Sequence, residues 1–574
     1  MKRLVLVILI AGVAAGGIWY GLKQARQTVP AVITSLLPRS TVFLVHLPSF
    51  NQTRDDWHSS DLYQLYREPA VQDFLGKPLS QLPRHDDASQ IFSEVEQLDP
   101  RDGFVAVTSI ENNNPRFAGG FRFRGNQADA DKIVNRWRSL LVRDPSVHET
   151  VQYENHNIEI VGAAPNQIAT VYDGNWFFIS NDLAELKAIL DRADRRAQNR
   201  ETTLDADPDF RAAMAHMPSN YAFLFYLQPK TFAEKIADLP DQVRQQVAAN
   251  QTVLSQLRSV CGTTRFERGK IHDVIFAGLP RPSGGVSLTR ASAHLGTGDT
   301  FLFVANLLNF EKLGAADQTA AITPFGGWLH KVYDASARAG ITLDDWNAAF
   351  APETGSLADW PESAHWPSAI ATMQVKDPIR ATKIVKTLMT AIDEDAPWKS
   401  AEQEGVSYFY MQSPASLIAI TPTIALSNQR LIAGLDSVSV EAAMKRDQGG
   451  DGAPKSGYLE DSAPYKTAAR LLPAPTNFFA YVDLKLLYSR LDAAVRPILL
   501  MTAAFMPAVS EHVDAAKLPP PEVVTRHLSP IVCSQYYDRD GYVSESVGPI
   551  TFNQMTIGLG LPVILWASSH QFWH

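Results

Sequence analysis

The stretch Thr41-Val-Phe-Leu-Val45 returns 259 residues later as Thr300-Phe-Leu-Phe-Val304. Both runs are β-branched and aromatic, as a largely buried strand requires. Working outward from this pair, further matches follow in the same order. Pro100-Arg-Asp-Gly103 and Pro352-Glu-Thr-Gly355 read as turns that each feed a strand. Gly119–Arg124 and Ser368–Val375 read as paired strands, with helices beginning near Lys132 and Lys383. Asp182-Leu-Ala-Glu185 places one carboxylate where a helix needs an N-cap and a second where a capping box needs an acid. Asp436 takes the corresponding place before the helix ending at Lys445-Arg446. Tyr226-Leu-Gln-Pro-Lys230 matches Tyr481-Val-Asp-Leu-Lys485, and Val260-Cys261 matches Val532-Cys533, each cysteine lying eight residues before a glycine.

The pattern predicts an α+β fold of two tandem copies of a mixed unit, with mostly antiparallel sheet and packed helices, preceded by one N-terminal transmembrane helix. The expected division is 1–36 for the anchor and tether, 37–282 for repeat 1 and 283–574 for repeat 2. The turn-rich Pro280-Arg-Pro-Ser-Gly-Gly285 forms the joint. Consecutive hairpins between long helices argue against a doubly wound parallel sheet.

The anchor rests on the uncharged run Leu4 to Leu22, preceded by Lys2 and Arg3. Trp19 and Tyr20 stand at its far end, where amphipathic rings favour the headgroup layer. The rival reading is a cleaved signal peptide, with Val13 and Ala15 placed for cleavage before Gly16. Either reading exports the remaining chain, and the expected location is the bacterial inner membrane, single-pass, with the body on the periplasmic side. The apolar stretch Ile557–Ala567 is too short for a second span and reads as a buried strand.

The 574 residues carry a net charge of −9, which offers nucleic-acid phosphates no general attraction. Two cysteines allow at most one disulfide, and the fourteen histidines show no metalloprotease spacing. No metal or cofactor is expected. Gly296-Thr-Gly298 lacks the rest of a phosphate-binding glycine pattern. Asp205, Asp207 and Asp209 resemble the start of a calcium loop, but Phe210 stands where glycine is needed, so a turn and helix cap is the expectation.

Trp346, Trp360 and Trp366 lie in a stretch with Asp344, Asp345, Glu353 and Asp359 and without Lys or Arg. Aromatic stacking faces with paired carboxylates are what a glycan site needs, so these acids are the candidate catalytic groups and the tryptophans the candidate ligand-binding groups. The duplication weighs against that reading, because neither acids nor tryptophans recur in the matching first-half segment. Structural tryptophans are the plainer expectation.

With the N-terminal anchor and the strand Thr41–Val45, the residues Trp57, Leu62, Leu65 and Glu68-Pro-Ala-Val-Gln-Asp-Phe-Leu75 resemble an uncharacterised bacterial envelope family. That family is catalogued only as a domain of unknown function and is known from planctomycete and verrucomicrobial bacteria. The resemblance implies an exported, membrane-tethered protein and supplies no catalytic or binding residue. The expected function is a non-enzymatic binding or structural module of the cell envelope, with a periplasmic hydrolase acting on cell-wall glycan as the alternative.

Overall fold

The computed structural model describes residues 31–80, 93–111, 114–141, 148–162, 167–194, 202–235, 244, 248, 251–281, 286–307, 335–392, 398–411, 421–449, 454, 456–505 and 514–555. The expected anchor residues Leu4, Trp19, Tyr20 and Leu22, and the apolar stretch Ile557–Ala567, lie outside them. Among the described residues no helix is long and apolar enough to cross a membrane. The protein is α+β with extensive antiparallel sheet and divides into two compact units. Unit 1 comprises 1–68, 75–283 and 537–544, and unit 2 comprises 69–74, 284–536 and 545–574.

The first half of the chain carries β1 (Phe43–Ser49), β2 (Arg101–Glu111), β3 (Asn114–Arg122), β4 (His148–Tyr153), β5 (His156–Val161), β6 (Ile168–Asp173), β7 (Trp176–Ser180), β8 (Phe223–Leu227), β9 (Val260–Glu267) and β10 (Lys270–Ala277). They pair antiparallel in the order 4-5-6-7-3-2-1-8-9-10. The opening run Thr41–Val45 therefore feeds a central strand, which explains its apolar character on both faces.

The second half carries β11 (Thr300–Leu307), β12 (Phe350–Asp359), β13 (Ser368–Val375), β14 (Trp398–Gln403), β15 (Val406–Met411), β16 (Thr423–Leu426), β17 (Arg430–Gly434), β18 (Phe478–Val482), β19 (Ile531–Asp538) and β20 (Gly541–Gly548). Their order is 14-15-16-17-13-12-11-18-19-20, the same as in the first half with every number raised by ten. Register agrees at the centre, where Leu44 stands opposite Tyr226 and Phe303 opposite Tyr481.

The match between the cysteines is corrected by one residue. Cys261 stands opposite Tyr226, but the residue opposite Tyr481 is Val532, and Cys533 stands opposite Ala480. The ends of β9, β10, β19 and β20 all differ by 271, and the left-handed turn residues Arg268 (φ 52°) and Arg539 (φ 51°) keep the same offset. A one-residue shift in a strand exchanges its faces, so identity of residue type misled the alignment. Both cysteines are buried, and neither forms a disulfide.

The expected turns before β2 and β12 are instead irregular strand starts. Register breaks between Arg101 and Phe104 on β2 and between Phe350 and Thr354 on β12. Pro352 lies within that second break, where its missing N–H disrupts no regular ladder bond. The carboxylate Oδ1 of Asp182 accepts from Ala184 N at 2.7 Å and Glu185 N at 3.2 Å, capping the helix Leu183–Asp194. Glu185 does not complete the expected box; it pairs with Arg192 at 2.6 Å. Asp436 caps the helix Ser437–Asp447 by accepting from Ser439 N at 2.8 Å.

In unit 1 the helix Gln127–Leu141 buries Ala130, Ile133 and Val134 against Phe123 and Phe177. In unit 2 the helix Pro378–Ile392 buries Ala381, Ile384, Val385, Leu388 and Met389 against Phe350, Val375, Phe409 and Leu426. Each helix follows the third strand of its half and covers one sheet face with a 3.6-residue stripe.

Candidate functional site

Unit 2 contains a cleft of about 600 Å³ where the ends of β12 and β13, the helix Ser437–Asp447 and the segment after Pro454 converge. Its position depends on the glycines of Gly296-Thr-Gly298. Thr297 bridges Tyr458, Gly298 N donates to Gly457 O at 2.8 Å, and Leu459 N donates to Gly296 O at 3.1 Å. A Cβ on Gly298 would stand 2.1 Å from Ser456 O, and one on Gly296 would stand 2.8 Å from Leu459 Cβ. These glycines permit two backbones to approach, which is the role that a search for phosphate loops could not find.

Asp359 ends β12 at the cleft and accepts from Thr300 Oγ1 at 2.5 Å. Burial holds its carboxyl above the usual carboxylate range, against the opposing pull of Thr300 and Arg446. Arg446 projects from the last turn of the helix Ser437–Asp447 with its side chain 11 % exposed. Its Nε donates to Leu295 O at 2.8 Å, while Nη2 stands 4.0 Å from Asp359 Oδ2, beyond hydrogen-bond reach. Burial lowers the Arg446 pKa without removing the charge. Arg490, from the helix Leu484–Phe505, donates to Trp360 O at 3.0 Å, Glu362 Oε1 at 3.1 Å and Asp299 Oδ1 at 3.4 Å. Leu357, Ile370, Val438 and Ala442 add apolar wall.

Of the four candidate carboxylates only Asp359 lines this cleft. Asp345 forms a capping box with Thr342, accepting from its N–H at 2.9 Å, and those hydrogen bonds lower its pKa. Glu353 accepts from Thr289 N at 2.6 Å, Thr289 Oγ1 at 2.7 Å and Ala291 N at 2.8 Å. Asp344 is exposed in the first turn of the helix Leu343–Ala349, beside Asp345. Asp344, Asp345 and Glu353 thus lie apart from the cleft, since caps and turns use local carboxylates to satisfy N–H groups that lack helical partners.

None of the three candidate tryptophans lines the cleft. Trp360 is 4 % exposed and donates to Ala364 O at 3.2 Å. Trp346 packs on Phe350, with ring centroids 5.1 Å apart, at the margin of the core under the helix Pro378–Ile392. Trp366 is 46 % exposed beside His365. The calcium-like triplet resolves into a cap, with Asp207 Oδ1 accepting from Asp209 N and Phe210 N at 2.9 Å each. Among the described residues no cluster of three or more His, Cys, Asp or Glu side chains is arranged to hold a metal ion.

Sequence reasoning missed Arg446 and Arg490. Their partners lie at separations set by strand order, and no local pattern marks them. No family model matches the chain, and no curated protein matches it. Among solved structures it is similar to crystal form IV of TP0453, at 9 % identity and a TM-score of 0.23, over 44 % of this chain and 81 % of that one. Crystal form I of the same protein gives 8 %, 0.22, 44 % and 80 %. Similarity at that level carries no statement about fold or activity.

Proposed function

We propose that this chain is a membrane-anchored, exported binding module of a bacterial envelope, built from two copies of one α+β unit, and that the cleft of unit 2 binds a small zwitterionic ligand. The apolar run Leu4–Leu22 is the anchor and the inner membrane its partner, with the body on the periplasmic side. Supporting the duplication are the equal strand orders and the shared register of Leu44 with Tyr226 and Phe303 with Tyr481.

Arg446 carries the ligand assignment. It is a largely buried guanidinium that lines the cleft, with Nη2 4.0 Å from Asp359 Oδ2, too far for a hydrogen bond. A ligand carboxylate offers that fork the planar partner it suits. Asp299 and Glu362 share the single cation Arg490, which leaves one net negative charge there for an ammonium group, and the apolar wall suits a short aliphatic body. Among the described residues the lining holds serines and carboxylates without a histidine, cysteine or lysine to activate them, which favours binding over catalysis. Glycan cleavage fits less well, because of the four candidate acids only Asp359 lines the cleft, and none of the three candidate tryptophans does.

The test is isothermal titration of the protein with the dipeptide Ala-Ala, beside its N-acetylated and amidated forms. Saturable heat with the zwitterion and weaker binding of each blocked form is the expected result. Equal response to all three, or none, removes the assignment.

A further inference from the structure

The helix Leu484–Phe505 changes character at Pro497. Up to that point it is held to the body: Arg496 pairs with Asp492 at 2.6 Å and donates to Leu518 O at 3.3 Å and Pro519 O at 2.6 Å. Beyond it, Pro497, Ile498, Leu499, Leu500 and Met501 are exposed in succession, with Met501 58 % and Phe505 81 % exposed. Successive helical residues point about 100° apart, so five exposed in a row cover the whole circumference. No charged residue occurs from Pro497 to Ser510.

An apolar stretch of this length serves as a core helix or as a segment lodged at a bilayer interface. Exposure excludes the core. A protein groove takes one stripe of a helix, whereas acyl chains accept every face, and the exposed run from Pro497 to Met501 is apolar round the whole helix, ahead of the half-buried Thr502 and Ala503. The tether adds a second argument, which rests on the anchor reading above. Only residues 23–30 separate Leu22 from the first described residue, and eight residues reach at most about 28 Å. The chain is thus held beside a bilayer, which supplies the apolar phase that an exposed helix end of this kind takes.

We propose that the end of this helix, from Pro497 to Phe505, inserts into the acyl boundary of the membrane leaflet that faces the body. It thereby acts as a second, non-covalent contact that orients unit 2 on the lipid. No bond is made or broken; the driving force is removal of exposed aliphatic and aromatic surface from water.

The experiment uses the full chain carrying an environment-sensitive fluorophore on Met501→Cys, with the buried Cys261 and Cys533 left in place. Vesicles of phosphatidylethanolamine and phosphatidylglycerol are added, with or without brominated acyl chains. Brominated lipid is expected to reduce emission several-fold at position 501 and little at Lys399→Cys, on an exposed strand position. Adding Leu499→Asp and Leu500→Asp should abolish the loss; both side chains are exposed, so folding is spared. Equal quenching at 501 and 399 overturns the proposal. So does a blue shift at 501 that follows protein density and ignores bromine, because it identifies a second copy or another protein as the occupant. A separate label on Ala11→Cys reports the anchor: quenching at 501 supports the helix-end contact whether or not position 11 is quenched, and its absence overturns that contact in either case.

Discussion

Arg446 and Asp359 face one another in the cleft of unit 2 at 4.0 Å, near enough to balance charge and too far to exhaust each other's hydrogen-bonding capacity. Arg446 is fixed from behind by Leu295 O, so its planar fork is oriented before any ligand arrives. That preorganisation distinguishes it from Arg490, whose donors are already directed to Trp360, Glu362 and Asp299.

Arg446→Met should weaken Ala-Ala binding about 10- to 100-fold, the loss of one charge-assisted hydrogen-bonded contact of ~1.5–3 kcal/mol. Arg446→Lys should not restore it, since a point charge does not replace the fork. Titration calorimetry, with circular dichroism to verify the fold, measures both.

Gly298→Ala should destabilise unit 2 by ~1–3 kcal/mol or more, because the added Cβ meets backbone oxygen of Ser456 at 2.1 Å and the bridge between Thr297 and Tyr458 has to open. Gly76→Ala provides the contrast. That glycine lies in the helix Pro69–Ser80 with nothing within 4 Å of its Cβ position, and alanine there should stabilise by ~0.5–1 kcal/mol. Urea midpoints of the two variants should move in opposite directions.

His46 lies in the interior of unit 1, with Nδ1 2.7 Å from the Tyr221 hydroxyl and Nε2 without a partner among the described residues. Burial pushes its pKa down to about 3 from 6.5. The folded state thus refuses a proton that the unfolded chain accepts. The contribution to stability is complete above pH 6.5 and declines as pH falls from 6.5 towards 3, by up to ~1.4 kcal/mol per pH unit. The double variant His46→Phe with Tyr221→Phe should flatten that decline in denaturation measured from pH 7 to 4.5.

The opposite sign applies at His294, whose Nε2 lies 3.2 Å from Asp447, a carboxylate that also accepts from Arg430 Nε at 2.5 Å. Despite burial that would raise it, the pKa of Asp447 is lowered by His294 and Arg430, and Asp447 in turn raises that of His294. His294 therefore contributes stability fully below pH 6.5 and loses it as pH rises through its higher folded pKa. Asp447→Asn should cost ~3–5 kcal/mol, since it leaves the largely buried Arg430 without its anion, and should remove this pH dependence. Unfolding at pH 5.5 and 8 reads both effects.

Much of the strand pattern was legible in the chain because the signals are local. Alternation and β-branching marked Thr41–Val45, Thr300–Val304 and Ser368–Val375, and caps at Asp182 and Asp436 marked helix starts within three residues. Comparison of the chain with itself ordered those elements. It erred where residue identity was taken for register: strand core positions require only a buried side chain, and Val532 serves at the place that Cys261 holds in the first half.

The candidate site was legible in one residue, Asp359. Its companions in the search, Asp344, Asp345 and Glu353, lie close in sequence and serve caps and turns, where short-range hydrogen bonding decides. Arg446 and Arg490 carried no local mark because what defines them is which carbonyl and carboxylate they meet.

The sequence by itself determined the elements, their caps, the antiparallel habit and the scarcity of cysteine, since each depends on residues a few positions apart. The tertiary structure decided that Asp359 and Arg446 share a cleft, that Gly298 admits Ser456 and that Trp360 turns inward, because sheet order brings together residues whose separation along the chain leaves no periodic trace. It also decided that an apolar helix end beyond Pro497 stays outside the core, since burial is a property of what surrounds a residue and not of the residue alone.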